Sequence, residues 1–289
     1  MPFSIQLFGL PPHEYGPLVE HADALGFHTV WLADHVITPL RFRRVYPYKP
    51  GGDPGYRPDT PLADVAVTLA YLAARTGRIR LGSGVLILPL RNPFHVAQAW
   101  ATLQHLSGGR AVLGVGSGWM AEEFDALGED FAARGTRLDE ALDVLGGLWS
   151  GAPVAHQGRH FAFPEVRFAA PPPVPVPIVV GGHAPPALRR AAHRADGWFG
   201  PDVDLATSLR LTRRIDELRE RAGRGDLPFT HYVRLVGDLA PATVAAYREA
   251  GLDHLVFSPF TRLPRDASLA DRIVALDAAA DRLAVAEPS

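Results

Sequence analysis

The chain has 289 residues with a formal net charge of -2, and 47% of them are hydrophobic. This length suits one large α/β domain or two small ones with a sizeable core. The near-neutral charge and the lack of a basic tract argue against nucleic-acid binding. There is no cysteine, so disulfides and thiolate chemistry are excluded.

The first segment, MPFSIQLFGL, lacks a basic region followed by a long apolar run. It therefore predicts no signal peptide. No apolar run along the chain reaches membrane-spanning length. We expect a cytoplasmic protein with no membrane partner.

Eight apolar, strand-like runs alternate with helical patterns along the chain. The runs begin at Phe3, His28, Arg78, Arg110, Pro177, Gly197, His231 and His254. One of the helical patterns lies between the sixth and seventh runs and carries Leu205, Leu209, Ile215 and Leu218 near one stripe. Regular alternation of strands and helices favours a parallel sheet.

Eight strands without an obvious linker predict a single α/β domain over residues 1–289, a (β/α)₈ TIM barrel. An open, doubly wound sheet is the alternative. Residues 36–61 follow strand two and form a long segment rich in Pro, Gly, Tyr and Arg, typical of a lid or a partly disordered loop. The sequence of residues 151–176 predicts an inserted hairpin, followed by a stiff, extended segment that leads to strand five.

Asp34 and His35 end the second strand, in the stretch TVWLADHV. Active sites of such barrels lie at the carboxyl ends of the strands. A histidine there can donate hydrogen bonds or move protons near neutral pH, and Asp34 can orient it or contact a bound ring. A turn cap at Asp34 and a solvated His35 are the alternative, and spacing alone leaves both open.

Strand three ends in GSGVLILPLRNP, with Gly82 and Gly84 inside an apolar run. Such glycines mark a bulge, a close approach of ligand and backbone, or a tight bend at a barrel corner.

Strand four ends in GVGSGWM, which contains Gly114, Gly116 and Gly118. The spacing is a weak match to a dinucleotide fingerprint, and no lysine follows for a phosphate-binding P-loop. A backbone surface that admits a flat ligand fits better, with Ser117 supplying a hydroxyl.

Strand five ends in VVGGHAPPALRRAA, and a helix is predicted to begin near Pro185 or Pro186. Free N–H groups at such a helix terminus can hold a phosphate, which Gly181, Gly182 and His183 would then line. A plain turn is the alternative. Barrel phosphate sites more often follow strands seven and eight.

Other chemistries find less support. The single lysine, Lys49, lies in the long loop instead of at a strand end, where a Schiff-base enzyme needs it. The histidines are scattered without metal-site spacing. The sequence also lacks a G-x-S-x-G nucleophile elbow.

Three segments carry a family resemblance: LGFHTVWLADHV, the block from RIRLGSGVLILPLRN to MAEEFDALG, and IVVGGHAPPALRRAAHRADGWF. Over roughly residues 3–200 the chain resembles the luciferase-like monooxygenase superfamily. It looks most like the F420-dependent oxidoreductase branch.

The resemblance implies a barrel with an inserted segment, often a homodimer, that holds a flavin or deazaflavin ring at its mouth without a metal. Asp34 and His35 would lie beside the ring and the substrate. A bulge at Ser83, Gly84 and Val85, with a non-proline cis peptide at Gly84–Val85, would back the ring. The ribityl and phosphate groups would contact Gly116, Ser117, Gly118, Gly181, Gly182 and His183.

One position departs from the branch. Its sugar-phosphate dehydrogenases place an acid after the G-[ST]-G turn, where this chain has Trp119. The tryptophan argues against a sugar-phosphate substrate and for a flatter, more apolar pocket. Glu122 and Glu123 follow, and we interpret them as helix-cap and dipole residues.

The resemblance therefore predicts an oxidoreductase that moves a hydride between F420 and a small organic substrate. His35 would hydrogen-bond or exchange a proton with the substrate. The alternatives are an FMN-dependent, two-component monooxygenase and a ligand-binding barrel without turnover. In the 36–61 loop, Arg41, Arg43 and Arg44 would meet the acidic tail of F420 if the loop acts as a lid. The loop could instead pack on a dimer partner.

Overall fold

The computed structural model describes residues 2–48, 51–55, 57–236, 239–252 and 254–283. Its strands, in chain order, are β1 (Phe3–Leu7), β2 (Thr29–Leu32), β3 (Arg80–Ser83), β4 (Leu86–Ile87), β5 (Ala111–Gly116), β6 (Val154–Gln157), β7 (Ala162–Val166), β8 (Ile178–Gly181), β9 (Gly197–Phe199), β10 (Thr230–Arg234) and β11 (Leu255–Phe257). All except β6 and β7 belong to one parallel sheet, in which β3 and β4 are two parts of the third barrel strand.

The parallel sheet closes on itself. At one seam Phe3 of β1 is in register with Leu255 of β11, and at another Leu81 of β3 is in register with Ala111 of β5. The predicted (β/α)₈ barrel is therefore confirmed, and the open-sheet alternative is wrong. The predicted hairpin is also present, because β6 and β7 pair antiparallel between β5 and β8.

Helices surround the barrel. They are α1 (Tyr15–Ala24), α2 (Val65–Arg75), α3 (Pro93–Leu106), α4 (Ala121–Ala126), α5 (Arg134–Trp149), α6 (Pro185–Arg194), α7 (Leu205–Arg221), α8 (Pro241–Glu249) and α9 (Leu269–Leu283). Several begin at a side-chain cap: Asp64, Asn92 and Asp204 each accept a hydrogen bond from a backbone N–H of the first turn. Such caps fix where the helix starts relative to the preceding loop.

The core has two layers. Inside the barrel, one cluster is formed by Trp31, Val112, Val179, Phe199, Tyr232 and Val256. A much larger cluster fills the space between the strands and the outer helices. Strands buried on both faces read as continuous apolar runs, which explains why the sequence pattern located them well. Among the described residues, no helix is both long and apolar enough to cross a bilayer.

Candidate active site

A cavity of about 150 Å³ opens at the carboxyl ends of the barrel strands. We call it the inner cavity. Eight residues that the sequence singled out line it together: Asp34, His35, Gly84, Val85, Gly116, Gly118, Gly181 and Gly182. The barrel thus brings the ends of its second to fifth strands to one place, as expected for this fold.

A larger cavity of about 700 Å³ adjoins the inner cavity. We call it the outer cavity. The two share six lining residues: Gln6, Ala33, His35, Tyr46, Asp202 and Arg234. These six residues form the passage between the two spaces, and His35 lies on it.

His35 is held by an acid that the sequence analysis placed elsewhere. Its Nδ1 lies 2.9 Å from Oε2 of Glu123, while Oε1 of the same carboxylate accepts a hydrogen bond of 2.7 Å from the backbone N–H of Val36. Glu123 belongs to α4, and its side chain has no exposed surface. Its role is therefore to fix the end of strand two, which corrects the interpretation of Glu123 as a cap or dipole residue.

Asp34 points toward the third strand. Its carboxylate accepts hydrogen bonds from the backbone N–H of Ile87 at 2.9 Å and from the guanidinium of Arg91 at 2.7 Å. Burial raises the pKa of the Asp34 carboxyl, and the charge of Arg91 opposes that rise. Asp34 was expected to orient His35 or to contact a bound ring. Glu123 holds Nδ1 of His35, and Asp34 ties β2 to β4 beside the cavity.

The expected cis peptide between Gly84 and Val85 is present. The side-chain amide of Gln6 donates a 2.7 Å hydrogen bond to the carbonyl oxygen of Gly84, and the N–H of Gly84 donates to the carbonyl of Leu32 at 2.7 Å. Residues of β1 and β2, which lie on the same side of β3, therefore hold this turn, and Val85 and Gly84 face the inner cavity.

The glycines of the third barrel strand (β3 and β4) and of the fourth (β5) divide into two groups. A Cβ on Gly82 would lie 2.5 Å from the Trp31 ring, and one on Gly114 would lie 2.0 Å from the carbonyl oxygen of Ser83. Gly82 and Gly114 therefore serve internal packing, a role that was not among those expected for them from the sequence. Gly84 and Gly116, by contrast, line the inner cavity.

Three other predicted cofactor residues lie beside the lining. The hydroxyl of Ser83 donates to the carbonyl of Gly114 at 2.7 Å and accepts from its N–H at 3.0 Å, so this side chain bridges two strands. Ser117 and His183 follow lining glycines but, among the described residues, are not part of the cavity wall. The ring of His183 packs 5.3 Å from that of Tyr48, and burial lowers the pKa of His183.

The turn after β8, the fifth barrel strand, offers fewer free backbone N–H groups at the start of the next helix than expected. Helix α6 begins at Pro185 and continues with Pro186, neither of which has an N–H. The next N–H, of Ala187, already donates to the carbonyl of Ala184 at 2.8 Å. Backbone donors for a phosphate must therefore come from residues 182–184. Gly182 has a φ of +111°, a conformation that favours glycine.

The segment after strand two covers the inner cavity. Tyr46 and Tyr48 line it, and the Tyr46 ring packs 5.0 Å from that of Trp119. Burial raises the pKa of Tyr46 to about 12, so its hydroxyl stays protonated at neutral pH. Arg43 fastens the segment to α4, because its backbone N–H bonds Glu122 and its guanidinium bonds Asp125.

Several lining residues escaped the sequence analysis, namely Gln6, Asp202 and Arg234, whereas Tyr46 and Tyr48 belong to the segment that we expected to act as a lid. Glu123, behind the lining, escaped it as well. Two of these carried a usable signal. Arg234 is a charged residue in an apolar strand, and Gln6 is the one amide in a run of buried residues of β1.

The fold and the site define a (β/α)₈-barrel protein whose strand ends form a glycine-walled cavity with a carboxylate-held histidine at its edge. A family model described as luciferase-like monooxygenase matches residues 6–284. The chain belongs to this family of oxidoreductases, and the resemblance seen in the sequence is confirmed.

The chain is similar to one relative over nearly the whole length of both proteins and to another over part of their lengths. It is 34% identical over 272 residues to an uncharacterized protein of Mycobacterium tuberculosis, covering 93% of this chain and 94% of that one. It is 31% identical over 240 residues to an F420-dependent glucose-6-phosphate dehydrogenase of Kineococcus radiotolerans, covering 80% of this chain and 66% of that enzyme.

Solved structures share the fold. A monooxygenase from Streptomyces bottropensis superposes with a TM-score of 0.79 at 20% identity, over 98% of this chain and 99% of the other. The F420-dependent tetrahydromethanopterin reductase of Methanopyrus kandleri gives a TM-score of 0.75 at 18% identity, over 98% of both chains.

Proposed function

We propose that this protein is an F420-dependent oxidoreductase acting on a small organic substrate. The observation that carries the proposal is the pair formed by His35 and the buried Glu123 at the edge of the glycine-walled inner cavity. The relative from Kineococcus radiotolerans, named as F420-dependent, supports the choice of cofactor. When bound, the deazaflavin would supply the hydride chemistry at its C5 position.

The cavity wall fits a flat ring. A Cβ on Gly116 would lie 2.7 Å from a methyl carbon of Val85, and one on Gly181 would lie 2.9 Å from the other. At Gly116 and Gly181 the cavity wall is therefore bare backbone, because a side chain at either position would displace Val85. Flat ligands need such close approach to a backbone surface.

His35 is the residue that we assign to proton exchange. Glu123 accepts at Nδ1, so Nε2 is the ring nitrogen directed to the substrate in this proposal. An ionised carboxylate behind a histidine fixes its orientation and stabilises the imidazolium that forms when it takes a proton. Asp34 holds the strand-three turn on which the ring would rest.

Trp119 points to a less polar substrate than a sugar phosphate. It is largely buried, and the ring of Phe42 stacks on it with centroids 5.7 Å apart. No acid occupies that position, so Trp119 gives the inner cavity an aromatic wall near His35. This favours a flat or apolar substrate over the one named for the Kineococcus radiotolerans relative.

Cofactor titration tests the proposal. Purified protein is titrated separately with F420 and with FMN, and binding is followed by the quenching of cofactor fluorescence. We expect saturable binding of F420 and much weaker binding of FMN. Tight binding of FMN alone would favour a two-component monooxygenase, and binding of neither would contradict the proposed function. We also propose a homodimer in solution, which light scattering during gel filtration measures directly.

A further inference from the structure

Arg234 lies where the two cavities meet. It ends β10, at the carboxyl end of the seventh barrel strand, and it lines both the inner and the outer cavity. His35 lines both as well. A molecule that reaches from the outer cavity to the inner one must therefore pass both side chains.

The guanidinium of Arg234 is held in place by two of its three nitrogens. Its Nε donates to Oδ1 of Asp202 at 2.7 Å, and its Nη2 donates to the hydroxyl of Ser258 at 3.2 Å. Asp202 also neutralises its charge. The planar group is thus oriented before any ligand arrives, which lowers the entropy lost on binding.

The third nitrogen has no acceptor. Among the described residues, Nη1 of Arg234 makes no hydrogen bond although it is buried, and only 10% of the side chain is exposed. A buried donor without a partner costs free energy, so proteins rarely keep one without a use. Here the donor belongs to a side chain that lines the passage beside His35.

We propose that Nη1 of Arg234 binds an sp² oxygen of the substrate, either a carbonyl or a carboxylate. This inference rests on the proposed function, because it defines the substrate class for that same site. The oxygen would be anchored by Arg234 while the reacting end of the substrate enters the inner cavity beside His35. Substrates without such an oxygen would lose this anchor.

Three small probes with the same ring separate the possibilities: benzoate, acetophenone and toluene. Their dissociation constants for the protein without cofactor are measured by saturation-transfer NMR. The variants are Arg234→Met, which keeps the apolar stem, and Arg234→Lys, which keeps the charge but loses the planar fork. Arg262→Gln is the matched control, because it removes one positive charge from an exposed site in a nearby loop.

We expect benzoate, acetophenone or both to bind the wild type more tightly than toluene. Arg234→Met and Arg234→Lys should weaken that binding at least about tenfold, and Arg262→Gln should change it by less than about twofold. Benzoate alone would identify a carboxylate, and acetophenone a neutral carbonyl.

The proposal is overturned if neither oxygen-bearing probe binds better than toluene, or if both Arg234 variants, shown to be folded by circular dichroism, bind the probes unchanged. Water would then be the partner of Nη1. Because F420 titration is a separate measurement, failure of the probes leaves the proposed function standing. If F420 does not bind, the proposed function is wrong, and the probe measurements then show only whether Arg234 binds a carbonyl or carboxylate oxygen.

Discussion

Oε2 of Glu123 lies 2.9 Å from Nδ1 of His35, and Oε1 lies 2.7 Å from the N–H of Val36. One buried carboxylate thus holds both the side chain and the backbone at the end of strand two. An ionised carboxylate has two acceptor oxygens, whereas a glutamine has one. The pair therefore offers a way to separate orientation of His35 from its chemistry.

Replacement of His35 by alanine should leave the fold and F420 binding intact and lower turnover. General acid–base help is typically worth about 10²–10⁴-fold, so kcat should fall within that range. Steady-state kinetics with a substrate found by screening, together with F420 titration, measures both effects. Undiminished kcat would mean that His35 takes no part in the reaction.

Glu123→Gln should lower both stability and kcat. Either His35 or Val36 loses its acceptor, which costs about 1–3 kcal/mol for a buried group. Because His35 remains present but is poorly oriented, kcat should fall less than in His35→Ala, while KM changes little. Urea unfolding and kinetics measure the two effects.

Glu122→Gln is the control, since Glu122 bonds Arg43 and not His35. Equal behaviour of the two glutamine variants would contradict the orienting role.

The strands could be predicted from the sequence because parallel strands buried on both faces give unbroken apolar runs. The site could be predicted only in part. His35 lies at a strand end, which the alternation of elements places at the barrel mouth. Its partner Glu123 is 88 positions away, and its burial depends on how α4 packs over the mouth. Neither spacing nor composition contains that information, so a local role as a helix-cap residue looked adequate.

The positions of Tyr46 and Arg234 in the cavity wall could not be predicted for a similar reason. The long segment after strand two has no periodicity, so its sequence does not say which side chain turns inward. Arg234 was visible as a charge in an apolar strand, but its pairing with Asp202 requires the closed barrel. The sequence predicted that glycines would line the cavity. Which glycines line it and which serve packing depends on the positions of Trp31 and Val85 in the folded barrel.

An aspartate at position 184 should weaken cofactor binding and have little effect on the stability of α6. A carboxylate or amide at position 184 finds no free helix donor, because Pro185 and Pro186 have no N–H and the N–H of Ala187 already donates to the carbonyl of Ala184. Only Asp adds a negative charge beside residues 182–184, where we place the phosphate. Thermal melting and F420 titration of Ala184→Asp and Ala184→Asn give the comparison. Equal F420 affinities would place the phosphate elsewhere, such as after strands seven and eight.

Two histidines at the other end of the barrel, the buried His254 and the partly buried His28, should make stability depend on pH. The rings of His28 and His254 pack 4.6 Å apart, and burial lowers their pKa values to about 4 and about 3. Free histidine in the unfolded chain has a pKa of about 6.5. Below that value the unfolded state takes up protons that the folded state does not, so stability falls as the pH drops from about 6.5 toward 4.

The expected loss is about 2 kcal/mol per histidine at pH 5, relative to pH 8. Urea unfolding at several pH values measures it. His254→Gln removes one titrating group and keeps a side chain able to bond Ser4, so its stability should decline less with acid. His13→Gln is the control because His13 is exposed. The same pH slope in wild type and His254→Gln would contradict this account.

The last prediction concerns the segment over residues 36–61, which covers the inner cavity with Tyr46 and Tyr48. Lys49, which lies outside the described residues, is the only lysine of the chain and follows Tyr48 directly. A protease that cuts on the amino side of lysine should therefore make a single cut there. If the segment is a lid, F420 should slow the cut, because closure over a bound ring removes the backbone from the protease.

Arg43→Ala provides the matched variant for this experiment. It removes the guanidinium contacts with Asp125 and Glu122 on α4, while the backbone N–H of residue 43 can still bond Glu122, and it changes no residue that lines the inner cavity. We expect the variant to be cut faster than the wild type without cofactor, since closing contacts are lost. Electrophoresis of the two fragments over time gives the rates. A rate that F420 leaves unchanged, at concentrations where it binds, would contradict the lid. Protection that instead rises with protein concentration would assign the segment to a subunit interface, because only association of two chains depends on concentration.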